Sequence, residues 1–242
     1  MDPTAYCEMQ EIEDSHWWFV ARRQILSALI EQSCKPNLKI LEVGCGTGGN
    51  LLMLSKLGEL KAFEMDPSAL AMATKKEVKD VVLTLGKCPD QMPYPGERFD
   101  LIFLFDVLEH IKNDRATLMK LKNYLTPQGK IILTVPACQW LFGPHDQFLQ
   151  HHRRYSRSAL IRLIKDSGLK VQRTSYFNSI LFPLILISRL FDRFIFSDRQ
   201  IKAMKPSKTT NAVLRQIFAF ERYLLPSCNL PIGLSLVCVL SL

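Results

Sequence analysis

The chain has 242 residues, 48% of them apolar, and a net charge of +8. That length suits one large α/β domain or two small ones, and the apolar share excludes a disordered or collagen-like chain. The seven cysteines (Cys7, Cys34, Cys45, Cys88, Cys138, Cys228, Cys238) contain no C-x-x-C pair and the acidic start MDPTAYCEMQEIED has no apolar signal core, the pattern of a reduced, cytoplasmic protein.

Residues 14–33 (DSHWWFVARRQILSALIEQS) read as an N-terminal helix, because Trp18, Ile25, Leu26, Leu29 and Ile30 recur near helical spacing, and Lys35-Pro36-Asn37 ends it. Trp17 and Trp18 would either cover a ligand or anchor this helix. Five apolar runs of strand length follow: Leu38–Val43, Leu60–Phe63, Val81–Leu85, Leu101–Phe105 and Lys130–Val135. Helical segments lie between most of them, which predicts a doubly wound, mostly parallel sheet. Thr126-Pro127-Gln128-Gly129 has the Pro and Gly placement of a type I turn and leads into the fifth strand. A loop-like stretch, PACQWLFGPHDQFLQHHRRYS, then precedes a helix over 157–165 and a strand over 170–176. The expected organisation is a single domain over 1–242: a core over 38–177, a helical insertion or lid over 178–226, and a closing strand over 231–242.

The charge is unevenly spread. Residues 148–242 hold 15 Lys/Arg against 4 Asp/Glu, a balance of +11, and the remainder is −3. This is either a solvated basic face or the mark of an anionic partner, such as a phosphorylated substrate or a membrane surface. The run SILFPLILISRLF inside the insertion is 13 residues long, short of the roughly 20 that span a bilayer. A core or lid helix is the first reading. The second is an interfacial helix with Arg189 and Arg193 at headgroup level, making the protein peripheral to the inner face of the membrane.

The first strand runs into GCGTGG. Gly44, Gly46 and Gly49 spell a dinucleotide fingerprint, while Gly44, Gly46 and Gly48 spell a methyltransferase turn. A strand, glycine turn and helix bring backbone N–H groups close to a ligand in either case. Glu42, two residues before Gly44, would repel a pyrophosphate there. It tolerates S-adenosylmethionine (SAM), which carries an amino group and a sulfonium but no phosphate; the alternative is an acid that caps the turn. Glu64, 20 positions after Gly44, is placed to accept hydrogen bonds from two ribose hydroxyls. Asp66-Pro67 looks like an N-cap followed by Pro at N1.

Taken together, ILEVGCGTG, FEMD, FDLIFLFDVLEHI and LTPQGKIILTVP resemble the class I SAM-dependent methyltransferases of the type 11 (UbiE-like) group, densely over residues 38–136. HDQFLQHHRRYSRSALIRLIKDSGLKV extends the likeness to about 171, and HWW near the start also resembles bacterial members. The resemblance implies a seven-stranded Rossmann-like sheet that binds SAM. It places Glu42, Gly44 and Gly46 at the methionine end, with Cys45 and Gly48 in the same cofactor-binding turn, Glu64 on the ribose, Met65 against the adenine, and Lys87 and Cys88 over its edge. Asp106 and Leu108 would close the site from the fourth strand, with Val107 between them also counted as cofactor-binding. Lys87 departs from the pattern: many relatives carry an Asp that accepts from the adenine amino group, and Lys cannot accept.

Methyl transfer is an in-line displacement governed by positioning and exclusion of water, with a base needed only for acceptors that must lose a proton. His110, His145, Asp146, His151, His152 and Tyr155 are candidates, with His110 and His152 the catalytic choices. Asp106-x-x-Glu109-His110 also resembles the E-x-x-E-H motif that binds a divalent metal in some O-methyltransferases, with His152 as the remaining ligand; a metal is open but not favoured. Arg153 and Arg154 would either clamp an anionic group or cap a surface.

The leading expectation is methyl transfer from SAM to O or C of a small or lipid-linked acceptor, one that the basic C-terminal part would suit if it is anionic. The alternatives are an NAD-dependent oxidoreductase and a SAM-binding protein without catalysis. No RNA-binding module and no Asn/Asp-Pro-Pro-Tyr block is visible, which speaks against nucleic acid as the partner.

Overall fold

The computed structural model describes residues 3–31, 37–187 and 206–242. Its strands are β1 (Leu38–Val43), β2 (Gly58–Glu64), β3 (Val81–Leu85), β4 (Phe99–Phe105), β5 (Leu125–Pro136), β6 (Lys170–Phe177) and β7 (Ser235–Ser241). They form one seven-stranded sheet in the order β3-β2-β1-β4-β5-β7-β6. The first five are parallel, and β7 runs antiparallel to both β5 and β6. The doubly wound sheet with an inserted helical segment before its last strand is therefore as expected.

Both faces of the sheet are covered, which is why its central strands read as continuous apolar runs. In β4, Leu101, Phe103 and Phe105 enter one core layer and Ile102 and Leu104 the other. The first layer lies under helix α2 (Trp17–Glu31), whose Ala21, Ile25, Leu26, Leu29 and Ile30 are buried in it. The second lies under α5 (Asp114–Lys122) and α7 (Arg157–Asp166), through Leu118, Leu121, Leu160 and Ile164. α3 (Leu51–Leu54) follows the glycine turn and is a single turn long, α4 (Pro67–Thr74) follows β2, and α6 (Pro144–Phe148) lies in the stretch after β5. Asp66 caps α4 as expected, accepting from Ser68 N at 2.8 Å and Ala69 N at 3.0 Å.

Several boundaries differ from the sequence reading. The N-terminal helix starts at Trp17, not at residue 14, and a separate α1 (Pro3–Ile12) precedes it. α1 lacks a strong apolar stripe of its own and gains its partners from the folded domain. Residues 32–36, including Lys35 and Pro36 of the expected stop, lie outside the described residues. The Thr126–Gly129 turn is absorbed into β5 as a bulge: Phe99 pairs with Leu125, and the next pair is Leu101 with Lys130. Asp100 holds it there by accepting from Thr126 Oγ1 at 3.0 Å.

Within the insertion, residues 182–187 are helical (α8), followed by α9 (Lys208–Ala219) and α10 (Glu221–Leu224). Residues 188–205, with Arg189 and Arg193, lie outside the described residues. α9 and α10 pack on α2. Phe218 joins the α2 core layer, Asn211 Oδ1 accepts from Trp17 N at 2.8 Å, and Asn211 Nδ2 donates to Ser15 O at 2.9 Å. Buried Glu221 accepts from the backbone N–H groups of Asn178, Ser179 and Ile180 at 2.7–2.9 Å, which ties the segment leaving β6 to the insertion. No helix among the described residues is long and apolar enough to cross a membrane.

Candidate active site

A cavity of about 740 Å³ opens at the carboxyl ends of β1, β2, β4 and β5, beside the point where the chain order reverses between β1 and β4. Open α/β sheets hold ligands in this crevice, and the volume is that of a cofactor-sized site. α1 and α2 roof it with Ala5, Tyr6, Met9, Ile12, Trp17 and Trp18. Trp17 also packs edge-on against Phe218 of α9, at 5.9 Å between ring centres, so the tryptophans both anchor α2 and face the cavity.

At one end the wall is largely backbone. Gly44 and Gly46 have φ of +68° and +55°, a region that side chains disfavour. A Cβ on Gly44 would meet Val107 Cγ2 at 2.9 Å, whereas the space beside Gly46 is open. Glu64 ends β2 with its carboxylate at this turn: Oε2 accepts from Gly46 N at 2.9 Å, and Oε1 from Met65 N at 2.9 Å and Asp66 N at 3.1 Å. Tyr6 of α1 reaches the same carboxylate at 3.5 Å. Burial and that acid push the Tyr6 phenol well up, so it stays a neutral donor. Glu13, between α1 and α2, accepts from Thr47 Oγ1 at 2.7 Å and pairs with Lys76 at 2.7 Å, clasping the roof to the glycine loop.

Of the residues predicted to bind a cofactor, Gly44, Cys45, Gly46, Glu64, Met65, Cys88, Asp106 and Val107 line the cavity, and Glu42, Gly48, Lys87 and Leu108 do not. Glu42 lies beneath the loop, with Oε1 accepting from Asn50 Nδ2 at 2.9 Å; burial lifts its carboxyl to about 7 despite that bond. Asn50 stands in the wall in its place. Gly48 packs behind the turn against Leu51 and Ala73. Leu108 is buried in the core layer under α5 and α7. Lys87 closes a small backbone ladder with Gln91, and its neighbours Gly86 and Cys88 face the cavity instead.

Asp106 leaves β4 with φ +57°, uncommon for a residue with a side chain. The turn is held by Thr134 O, which accepts from Asp106 N at 3.0 Å. It brings the carboxylate 2.5 Å from the Arg22 guanidinium of α2. Arg22 is itself buried, lies over the Trp18 and Phe105 rings at 5.2 and 5.3 Å, and donates to Thr134 Oγ1 at 3.2 Å.

The other end of the cavity is built from side chains. A 3-10 turn over Leu108–His110 follows β4. Glu109 in it is fully buried, and neither carboxylate oxygen has a hydrogen-bond partner. Burial, then the Asp106 charge, raise its carboxyl well above the usual range. The His110 and His151 rings meet edge to face at 4.6 Å, and His151 Nε2 lies 4.0 Å from Glu109 Oε1. Burial and the neighbouring His151 depress His110 to about 3, so it is neutral at physiological pH. Asp146 of α6 binds His151 Nδ1 at 3.0 Å and Arg154 Nε at 2.8 Å. Burial alone would raise the Asp146 carboxyl, but these partners outweigh it and hold it low.

This geometry corrects the expected metal constellation. One ligand atom each from Glu109, His110 and His151 lie within 4.8 Å of one another, and neither Asp106 nor His152 is in that group. Arg22 pairs with Asp106. His152 donates its backbone N–H to Glu109 O at 2.9 Å and carries an exposed side chain at the cavity rim. The His151 side chain, by contrast, is turned inward onto Asp146 and Glu109. Tyr155 is held by Asp114 at 2.9 Å and does not line the cavity. The arginines are engaged as well, Arg153 with Asp114 at 2.6 Å and Arg154 with Asp146, and make no free anion clamp. Tyr6, Glu13 and Arg22 had no assigned role in the sequence reading. Only Arg22 left a signal: it falls on the apolar stripe of α2, four residues after Trp18.

A family model described as a methyltransferase domain matches residues 17–174, more than half of the chain. A tRNA U34 carboxymethyltransferase of Hydrogenovibrio crunogenus is 32% identical over 126 residues, 46% of this chain and 37% of that protein. The mitochondrial ubiquinone biosynthesis O-methyltransferase of Schizosaccharomyces pombe is 30% identical over 113 residues, 43% of this chain and 40% of that protein. The match thus spans about two fifths of the length of these curated relatives. Among solved structures, the plantazolicin methyltransferase BpumL in complex with SAH shares the fold with a TM-score of 0.63 at 15% identity, over 99% of this chain and 90% of that one. With the sheet order, the glycine turn and the cavity, these findings identify the chain as a member of the class I SAM-dependent methyltransferases, in the UbiE-like group that its motifs resemble.

Proposed function

We propose that the chain transfers the methyl group of SAM to an oxygen or carbon of a small or lipid-linked acceptor. The observation that carries this is the continuity of the cavity: one space runs from the glycine turn and Glu64 to the histidine cluster after β4. SAM supplies an electrophilic methyl group on sulfur. The residues present suit it: the open face of Gly46 admits a ligand against the backbone, and Glu64 offers a carboxylate for ribose hydroxyls. Gly44, Gly46, Glu64 and Met65 bind and orient the cofactor, with Cys88 at the adenine edge. Cys45, Asp106 and Val107 bound the space near the methyl group. Trp17, Trp18 and Met9 exclude water, which strengthens every polar contact inside. His110, neutral and beside the acceptor end, can contact an acceptor hydroxyl.

A lipid-linked acceptor is supported by the insertion. Val213, Ile217, Phe220 and Tyr223 are exposed there, in a stretch that also carries Lys208, Arg215 and Arg222. Such a surface suits an anionic lipid interface.

Calorimetry with SAM, S-adenosylhomocysteine and NADH tests the cofactor: the first two should bind and NADH should not. Binding of NADH alone would overturn the reading. Flotation with vesicles containing anionic lipid tests the surface, with salt-sensitive association expected; no association would remove the lipid-facing half.

A further inference from the structure

The acceptor end of the cavity has an unresolved electrostatic problem. Glu109 is a fully buried acid with two unpartnered oxygens, and its nearest side-chain nitrogen in an ion-pair geometry, His151 Nε2, is 4.0 Å away. Buried carboxylates without partners are costly and are found paired or coordinating metals. The nearby cations are already paired, Arg22 with Asp106 at 2.5 Å and Arg154 with Asp146 at 2.8 Å.

The two histidines answer this in a specific way. His151 Nδ1 faces Asp146 at 3.0 Å, so in the neutral ring the proton sits on Nδ1 and Nε2 presents a lone pair towards Glu109. A carboxylate on the far nitrogen of an imidazole is the outer-shell arrangement that orients metal-binding histidines. Asp146 is fixed in turn by Arg154 Nε at 2.8 Å and by Gly143 N at 3.0 Å, so the orientation is built into the loop after β5. His110 completes a group of three ligand atoms within 4.8 Å, all lining the cavity.

We infer that Glu109, His110 and His151 bind a divalent first-row transition ion, with Asp146 as the outer partner that orients His151. Two imidazoles and one carboxylate favour zinc, manganese, iron or cobalt over magnesium, which prefers an all-oxygen shell. Three protein ligands leave coordination positions open towards the cavity, as in catalytic rather than structural sites. The ligand class is therefore an acceptor that presents a hydroxyl oxygen to the ion. On such an acceptor the hydroxyl proton leaves to solvent, the methyl–sulfur bond breaks and the methyl–oxygen bond forms, leaving the neutral thioether. This acceptor role rests on the methyl-transfer reading above, whereas the binding of the ion does not.

The test is metal analysis of the full chain, purified without chelator or affinity tag, with SAM calorimetry in parallel. About one equivalent of a transition ion is expected. After chelation, titration with Co²⁺ should produce visible ligand-field bands that reach their limit near one equivalent. His151→Ala and Glu109→Gln should each weaken Co²⁺ binding at least tenfold, Asp146→Asn by roughly 10- to 100-fold, and His152→Ala should leave it unchanged. Absence of bound ion and of Co²⁺ bands in protein that binds SAM would overturn the inference while leaving the methyltransferase reading intact. Equal Co²⁺ binding by wild type and His151→Ala would also overturn it. An ion bound by protein that does not bind SAM would instead count against the methyl-transfer reading alone.

Discussion

At the cofactor end of the cavity, Glu64 is a buried acid whose oxygens accept three backbone N–H groups. At the acceptor end, Glu109 is a buried acid whose oxygens accept none. Both line the same space; Glu64 ends β2 and Glu109 follows β4, two parallel strands of the same sheet. The difference is in what completes them. The chain itself satisfies Glu64, because the glycine turn and the residues after β2 bring amides to it. Around Glu109 the nearest ion-pairing nitrogen is Nε2 of His151, at 4.0 Å, on a ring that Asp146 holds in place. The first acid therefore shapes a preformed cradle, and the second directs the site towards something that enters it.

Removing the cation between the two ends should have the largest effect. Arg22→Ala would leave Asp106 unpaired beside Glu109. Loss of one partner of a buried pair costs about 3–5 kcal/mol, which urea unfolding would register as a lower midpoint at unchanged slope. A loss below about 1 kcal/mol would mean that water replaces the guanidinium and that Arg22 is not the counter-charge of this region.

Glu42 gives the next effect and makes it depend on pH. Its carboxyl titrates near 7 when folded against 4.5 as a free group, raised chiefly by burial. The folded state thus holds this proton more tightly than the unfolded chain. The resulting stability is complete below pH 4.5 and is lost as pH rises through 7. The difference corresponds to about 3 kcal/mol. Glu42→Gln mimics the protonated acid. It should stabilise the protein by about that amount at pH 8 and hardly at all at pH 4.5, as followed by chemical denaturation at both values. An equal gain at both would place the effect in packing.

The smallest of the three concerns Glu64. Glu64→Ala should weaken SAM binding by about tenfold or somewhat more, the loss of a net hydrogen-bond contribution to a charged acceptor of roughly 1.5 kcal/mol. Calorimetry reads this directly. An unchanged Kd with a lowered melting temperature would confine Glu64 to holding the turn and move the ribose elsewhere.

Much of the fold was legible in the residues. Parallel strands buried on both faces leave uninterrupted apolar runs, so β1 to β4 stood out with small errors at their ends. The Asp66-Pro67 cap was equally plain, because its partners are the next few amides. What failed were features whose partners are far along the chain. α1 has little local signal and is positioned by contacts such as Tyr6 with Glu64 and Glu13 with Thr47. The turn over Thr126–Gly129 carried correct turn residues, yet pairing with β4 drew it into a bulged strand.

By itself, the sequence determined the sheet class, the glycine turn and the acid that ends β2. These depend on periodicity and on spacing within one strand–turn–helix unit. Only the tertiary structure decided that His151 rather than His152 faces Glu109. The two histidines are neighbours in the chain, and the bond from His152 N to Glu109 O that fixes this stretch joins residues 43 positions apart. It also decided that Asp106 belongs to Arg22. That pairing needs the left-handed turn at Asp106 and the docking of α2 over the ends of β4 and β5, neither of which any local pattern records.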